Sequence, residues 1–279
     1  MNKFFIITNS DRDKGMKVTN HIKEGLTALG MEVKFNSHHK TVINGAYTDP
    51  NSIPKDTDCV IVVGGDGTII DAARDTEELD IPILGVNVGK MGFLADVELD
   101  NLDHAFKQLI EGNYVVEERM MLCGTITDKN GDIKGRSTAI NDVVVNRRGP
   151  LRVVEYGVWV NNSFLSPFTA DGIIICTPTG STGYSLSAGG PIIEPMSKIT
   201  CITPICPHTL NTRSIVLSDR DIINIRVNDD NTDVNFDGRL SVRIDSTDCV
   251  EIKKSDHVTK IVRINEGSFL TALSNKFRA

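Results

Sequence analysis

"VVGGDGTIIDAARD", residues 62–75, decides how the chain is read. An apolar run, residues 59–63, feeds into Gly64, Gly65 and Gly67, and a helix-like run, residues 69–74, leads out. A continuous apolar run of this length is the pattern of a strand buried on both faces. A glycine turn between strand and helix favours phosphate, because backbone N–H groups and the helix dipole attract anions. Asp66 sits in the middle of that turn, and its carboxylate repels the same anion. Three roles would reconcile it with the turn. It caps the helix, it holds Mg²⁺ against a phosphate, or it takes a proton from a hydroxyl.

Working outward, the first ~125 residues alternate between strand-like and helix-like runs. Residues 3–8 and 31–35 are strand-like, and Val18, Ile22, Leu26 and Leu29 keep helical spacing before Gly30. Residues 36–57 are polar and aperiodic, with adjacent His38 and His39, and are expected to be a loop. The helix after the glycine turn is expected to run to about Leu79. A further strand follows at 81–87, then a helix marked by Leu102, Phe106, Leu109 and Ile110 and ending at Gly112. This alternation predicts a parallel sheet covered by helices. Beyond about residue 120 short β-rich runs take over, at 139–146, 153–160, 172–178, 221–228, 249–254 and 260–264. They predict an antiparallel β domain. Near the end, Phe269, Leu270, Leu273 and Phe277 are expected on one face of a helix that packs back on the first domain. The expected domains are 1–122 together with 266–279, and 123–265.

The composition is that of an ordinary soluble chain: 279 residues, 40% hydrophobic and 24% charged, with a net charge of −7. A net acidic chain is a poor nonspecific nucleic-acid binder, since such binding rests on neutralising phosphates. The six cysteines are far apart and form no C-x-x-C, so they are expected as reduced core residues. The opening apolar run is too short for a signal peptide, and no segment approaches the ~20 apolar residues of a membrane span. A cytoplasmic protein is expected, with neither nucleic acid nor membrane as partner.

Ordinary nucleotide signatures are missing: neither G-x-x-x-x-G-K-[ST] nor G-x-G-x-x-G occurs, and "GVNVGK" (85–90) departs from the first. Asn141 and Asp142, in "AINDVVV", pair an amide with a carboxylate, a combination suited to ribose hydroxyls or an adenine edge; a plain strand-entry turn is the alternative. Residues 169–193 are the richest stretch. Thr179, Ser181, Thr182, Ser185 and Ser187 supply hydroxyls around Tyr184, with Asp171 just upstream, as a nucleoside pocket or a polar loop would have them. His208, beside Pro207, reads as structural, and Asp237-Gly238-Arg239 as either a β-turn or part of a site.

Taken together, "GGDGT" (64–68), "NVGKMGFLAD" (87–96), "IND" (140–142), "TPTGSTGYSLSAGGP" (177–191), "ICPH" (205–208) and "FDG" (236–238) resemble the NAD kinase family. They follow the family's order across most of the chain. GGDGT is shared with lipid kinases and phosphofructokinases; the long Ser/Thr/Gly stretch is far more specific. The resemblance implies a Rossmann-like α/β domain and an antiparallel β-sandwich domain, with ATP and NAD as substrates, Mg²⁺ and a homodimer or homotetramer. It gives Asp66 the role of base toward the 2′-hydroxyl of the adenosine ribose. It places NAD on Asp66, Gly67, Asn141, Asp142, Asp171 and the run Thr182, Gly183, Tyr184, Ser185, Leu186 and Ser187. By offset it adds Arg152, Thr169 and Arg239. It implies that Asn141 and Asp142 meet the adenosine, that Tyr184 packs on the dinucleotide, and that Asp171 reaches the nicotinamide end across a subunit interface. No side chain is singled out for the metal. Asp71 stands where many relatives are basic, with Arg74 a turn away, and Gly183 replaces the usual Ala. The alternatives are a diacylglycerol-type lipid kinase and a non-catalytic NADP-binding sensor.

Overall fold

The computed structural model describes residues 1–36, 48–89, 92–149, 152–209, 213–264 and 269–278. His38, His39, Lys90 and Met91 lie outside them. The chain forms two compact units, residues 1–119 with 257–279, and residues 120–256.

The first unit runs β1 (Lys3–Thr8), α1 (Lys17–Ala28), β2 (Glu32–Asn36), β3 (Cys59–Gly64), α2 (Asp66–Asp75), β4 (Ile83–Asn87), α3 (Leu102–Glu111) and the start of β5 (Val115–Thr127). β3 and β4 are buried along their whole length, as their unbroken apolar sequences predict. The strands pair in parallel, β2-β1-β3-β4, with Phe4 opposite Cys59 and Ile61 opposite Leu84. Ile22 and Leu26 of α1 and Phe106 and Leu109 of α3 close one face, packed on Phe4, Ile6, Ile61 and Val63.

The second unit continues with β6 (Ile133–Ala139), β7 (Asp142–Arg147), β8 (Val154–Val160), β9 (Ser163–Ala170), β10 (Gly172–Cys176), α4 (Tyr184–Ser187), β11 (Ile199–Ile205), β12 (Ile215–Ser218), β13 (Ile223–Val227), β14 (Thr232–Phe236) and β15 (Leu240–Ile244). The chain ends with β16 (Cys249–Arg263) and α5 (Phe269–Arg278). One antiparallel sheet has the order β12-β11-β10-β7-β14-β15. Its inner face (Val143, Val145, Ile173, Ile175, Ile202, Val234, Phe236) meets Tyr156, Val158, Ile223, Ile225, Val250 and Ile252 of the other sheet. This is a β-sandwich core built from alternating inward side chains.

Several local expectations change. The runs 249–254 and 260–264 belong to one strand, β16, whose middle is polar. Its last turn of chain returns to the first unit, where Ile261 pairs in parallel with Ile83. The helix after the glycine turn stops at Asp75, and a separate 3₁₀ turn covers Glu77–Leu79. In α5 Phe269 stacks on Phe93, but Leu270 and Phe277 stay exposed, so the four apolar residues do not share one buried face. Of the cysteines, 59, 123, 176 and 201 are buried as expected, whereas Cys206 is exposed and Cys249 is partly so.

Candidate active site

α2 begins at Asp66 itself, because Gly65 is extended (φ −120°, ψ −176°) and serves as N-cap without any side-chain bond. Asp66 therefore does not cap the helix. Its carboxylate turns to the segment after β4 and accepts the backbone N–H of Phe93 (2.8 Å) and Leu94 (3.2 Å), with Ala95 N–H at 3.5 Å. Gly92 makes this approach feasible, since a Cβ there would overlap the carboxylate. The segment is itself braced from β16: Arg263 donates to Phe93 O (3.0 Å) and Leu94 O (3.2 Å). Asp96 completes the brace by accepting the N–H of Ile264 at 2.7 Å. An ionised carboxylate has about four acceptor sites, so these amides fix the orientation of Asp66 and leave capacity for a proton.

Around it, Gly64 has no room for a side chain, because a Cβ would stand 2.5 Å from Thr68 Oγ1. Gly67 is the second residue of α2. Asp71 is buried on the same helix. Arg74, a turn further on, is held by Asp75 at 2.9 Å.

In the second unit Asp237 takes a role that its sequence left open. Asp237 (φ 49°) and Gly238 (φ 64°) form a left-handed turn between β14 and β15, the type that tight hairpins favour. The Asp237 carboxylate accepts three consecutive backbone N–H groups, from Ile140 (2.8 Å), Asn141 (2.8 Å) and Asp142 (3.0 Å). The turn thus braces the bend between β6 and β7. Asp142 is buried, and burial, reinforced by the charge of Asp237, pushes its carboxyl up to about 7.

The Ser/Thr/Gly stretch is built onto the same bend. Thr177 N–H donates to Asn141 O (2.9 Å) and Thr177 Oγ1 to Ile140 O (2.6 Å). Gly180 lies so close to the Asn141 carbonyl that a Cβ would collide with it. Gly183 faces both side chains: a Cβ there would stand 3.7 Å from Asn141 Nδ2 and 3.9 Å from Asp142 Oδ2. Within the stretch, residues 179–187 are helical, a 3₁₀ turn followed by α4, and the residues after them are irregular.

Its hydroxyls do not form a ring around Tyr184. Ser181 donates to Pro178 O (2.6 Å) and accepts from Ile193 N–H, while Ser185 Oγ is buried against Thr203 Oγ1 (3.1 Å). Small hydroxyl residues here satisfy local backbone, as they commonly do. Tyr184, Leu186 and Ser187 remain exposed, and Thr182 is half-buried. The structure therefore gathers Asn141, Asp142, Thr182, Gly183 and Tyr184, but turns the Ser185 side chain away.

Asp171 is half-exposed between β9 and β10. Its carboxyl is held below the ordinary range by a 2.8 Å hydrogen bond from Arg147 Nε. Thr169 lies two residues away on β9, and its carbonyl accepts the N–H of His208 (2.9 Å). Arg152 Nη2 donates to Asp229 (2.5 Å) and Asn231 O (3.1 Å), and none of its described bonds goes to residues 141–142 or 182–187. Arg239 is exposed, at the end of the turn that carries Asp237.

Among the described residues no group of three or more His, Cys, Asp or Glu could hold a metal ion. Two family models match the chain: the ATP-NAD kinase N-terminal domain over residues 6–114 and the ATP-NAD kinase C-terminal domain over residues 140–264. The chain belongs to the ATP-NAD kinase family. Relatives agree along the full length: an NAD kinase of Lachnoclostridium phytofermentans is 42% identical over 99% of both chains. One of Lachnospira eligens is 37% identical over 99% of this chain and all of that one. The solved NAD kinase of Archaeoglobus fulgidus in complex with ATP superposes with a TM-score of 0.80 at 25% identity, covering 99% of this chain and 98% of that one. Yeast NADH kinase complexed with NADH shares the fold, with a TM-score of 0.81 at 20% identity over all of this chain and 88% of that one. Membership makes the chain a kinase and favours neither the lipid-kinase nor the sensor alternative.

Three residues that brace the candidate site were given no such role by sequence reasoning. Asp237 was visible within "FDG" and Gly92 within "NVGKMGFLAD", but nothing local marks either one's partner. Arg263 has no signal of its own in the sequence.

Proposed function

We propose that the chain transfers the γ-phosphoryl group of ATP to the 2′-hydroxyl of the adenosine ribose of NAD, with Asp66 as general base. The ribose oxygen forms the new bond to phosphorus, the bond from phosphorus to the β,γ-bridging oxygen breaks, and ADP leaves with that electron pair. The hydroxyl proton goes to Asp66. The observation that carries the reading is the seating of Asp66 on backbone amides at the head of the glycine turn. Phosphoryl transfer depends mainly on positioning and charge neutralisation, and a rigidly held carboxylate suits it.

Asn141 and Asp142 take the adenosine, Tyr184 packs on the dinucleotide, and Asp171 reaches the nicotinamide end. A raised carboxyl at Asp142 supports this role, because a protonated acid can donate to a ribose or base acceptor as well as accept. Mg²⁺ enters with ATP as part of the substrate, in keeping with its preference for phosphate oxygens and water over all-protein cages. A homodimer or homotetramer is supported by β9, an edge strand with exposed Phe164 and Leu165, and by the Phe164–Trp159 ring pair beside it. A cytoplasmic location is supported by the free cysteines, and no described helix is long and apolar enough to cross a membrane.

The test is NADP formation from ATP, Mg²⁺ and NAD, coupled to an NADP-specific dehydrogenase, with Asp66→Asn alongside. The variant is expected to lose about 10²–10⁴-fold in kcat, the usual contribution of a positioned base. Undiminished turnover in the variant would remove Asp66 from the base role, and no NADP from folded wild type would refute the reaction.

A further inference from the structure

Arg12 belongs to none of the motifs quoted above. It lies in the turn after β1, which is anchored on β3 by Asn9 N–H to Val63 O (2.9 Å). Asn9 O and Oδ1 accept the Arg12 backbone N–H, and Asn9 Nδ2 donates to Thr68 Oγ1 (3.1 Å). From there the guanidinium reaches over the glycine turn. Nη1 donates to Val88 O at 3.2 Å. A Cβ on Gly65 would stand 3.2 Å from Nη1 and 3.3 Å from Cζ, and one on Gly89 would stand 3.0 Å from Nη1. The fork therefore rests against the bare backbone of two glycines.

Among the described residues its bonding capacity is mostly unused. A guanidinium carries five N–H donors, and one of them is engaged by Val88 O. The side chain is exposed, and among the described residues no carboxylate is paired with it. The neighbouring cations differ: Arg74 is tied to Asp75, and Arg263 to Glu117, Asp96 and the 93–94 carbonyls. A second observation points to a ligand at the same place. Asn87, opposite Gly64 in the sheet register, is buried and donates Nδ2 to Gly89 O (3.0 Å), while its Oδ1 has no partner among the described residues. Such an acceptor is completed by a donor, which a ligand hydroxyl or a water supplies.

We infer that Arg12 binds the phosphates of the donor nucleotide. The inference rests on the proposed function and deepens it. A triphosphate approaching Asp66 meets a carboxylate, and the glycine turn offers only partial charges in return. Arg12 supplies a full positive charge at that turn, in a planar fork suited to two phosphate oxygens. The donor is chosen over NAD because a triphosphate carries more negative charge than the diphosphate bridge of a dinucleotide.

The experiment compares wild type, Arg12→Gln and Arg12→Lys. It measures kcat, KM for ATP and KM for NAD, and calorimetric binding of ATP and of adenosine. Arg12→Gln is expected to weaken ATP by about 10- to 100-fold, the size of a lost charge-assisted bond. Adenosine binding, KM for NAD and the unfolding temperature stay as in wild type, and Arg12→Lys recovers part of the loss. Unchanged ATP affinity in Arg12→Gln with active wild type overturns the inference and leaves the proposed function intact. A rise confined to KM for NAD also overturns it. Wild type that makes no NADP, but whose ATP binding still falls on Arg12→Gln, refutes the proposed reaction while supporting the role of Arg12.

Discussion

Gly92→Ala tests the seat of Asp66 without touching any ionisable group. Gly92 is not among the residues at positive φ, so the backbone there accepts alanine. The obstacle is the carboxylate: an added Cβ would overlap Oδ1, Cγ and Oδ2 of Asp66, all well inside the 3.0 Å that real Cβ atoms do not breach. Restoring ordinary van der Waals separation displaces the carboxylate by about 1 Å or more. That breaks the 2.8 Å and 3.2 Å bonds from Phe93 and Leu94. Each bond to a charged group contributes roughly 1.5–3 kcal/mol, partly regained from water at a half-buried site. A misplacement of about 1 Å in a reacting group costs on the order of 10²-fold in rate. The expected result is a fall of about 100-fold in kcat in the coupled NADP assay, with both KM values nearly unchanged and far-ultraviolet circular dichroism preserved. The double variant Gly92→Ala/Asp66→Asn should be no slower than the slower single variant, because both remove the same positioned carboxylate. A Gly92→Ala enzyme of near wild-type kcat, or single effects that simply add, would refute the reasoning.

Asp142 gives a pH signature. Its folded value of about 7, against an ordinary 3.8, means the folded chain keeps a proton that the unfolded chain releases. Stability contributed by this group is therefore complete below about pH 4, declines as pH rises toward 7, and stays low above, by up to about 4 kcal/mol. Asp142→Asn should gain stability relative to wild type between pH 5 and pH 8 in urea unfolding, and parallel pH profiles would contradict the assignment. Asp237→Ala leaves three N–H groups without their acceptor; KM for NAD is expected to rise at least about 10-fold with KM for ATP unaltered, and calorimetry with NAD should show the same loss. Equal loss for both substrates would place Asp237 outside the bracing role.

The parts of the fold legible in sequence were those written locally. β3 is an unbroken apolar run, the glycines mark where its chain turns, and α1 keeps its apolar residues in helical register. What was not legible depends on partners far away in sequence. Asp237 meets residues 140–142 only because β14 pairs with β7, and a carboxylate before glycine looks the same in an idle turn. Ser185 and Ser181 looked like ligand donors because hydroxyls do not reveal whether backbone will take them. β16 read as two strands because its polar centre, "KSDH", interrupts the apolar alternation that marks each end. Leu270 and Phe277 had the spacing of a buried face, yet α5 packs through Phe269, whose ring meets Phe93.

The return of β16 to the first unit sets an order of events during synthesis. Residues 120–256 leave the ribosome as one uninterrupted block and hold their own core. The parallel sheet is completed later: Val97 already bridges β4 at Val86, but Ile83 gains its second partner only when Ile261 arrives, and the 93–94 carbonyls wait for Arg263. A nascent chain thus carries GGDGT for most of its elongation while the strut behind that carboxylate is still unmade. The Asp66 carboxylate is among the first groups made and among the last to be set in place.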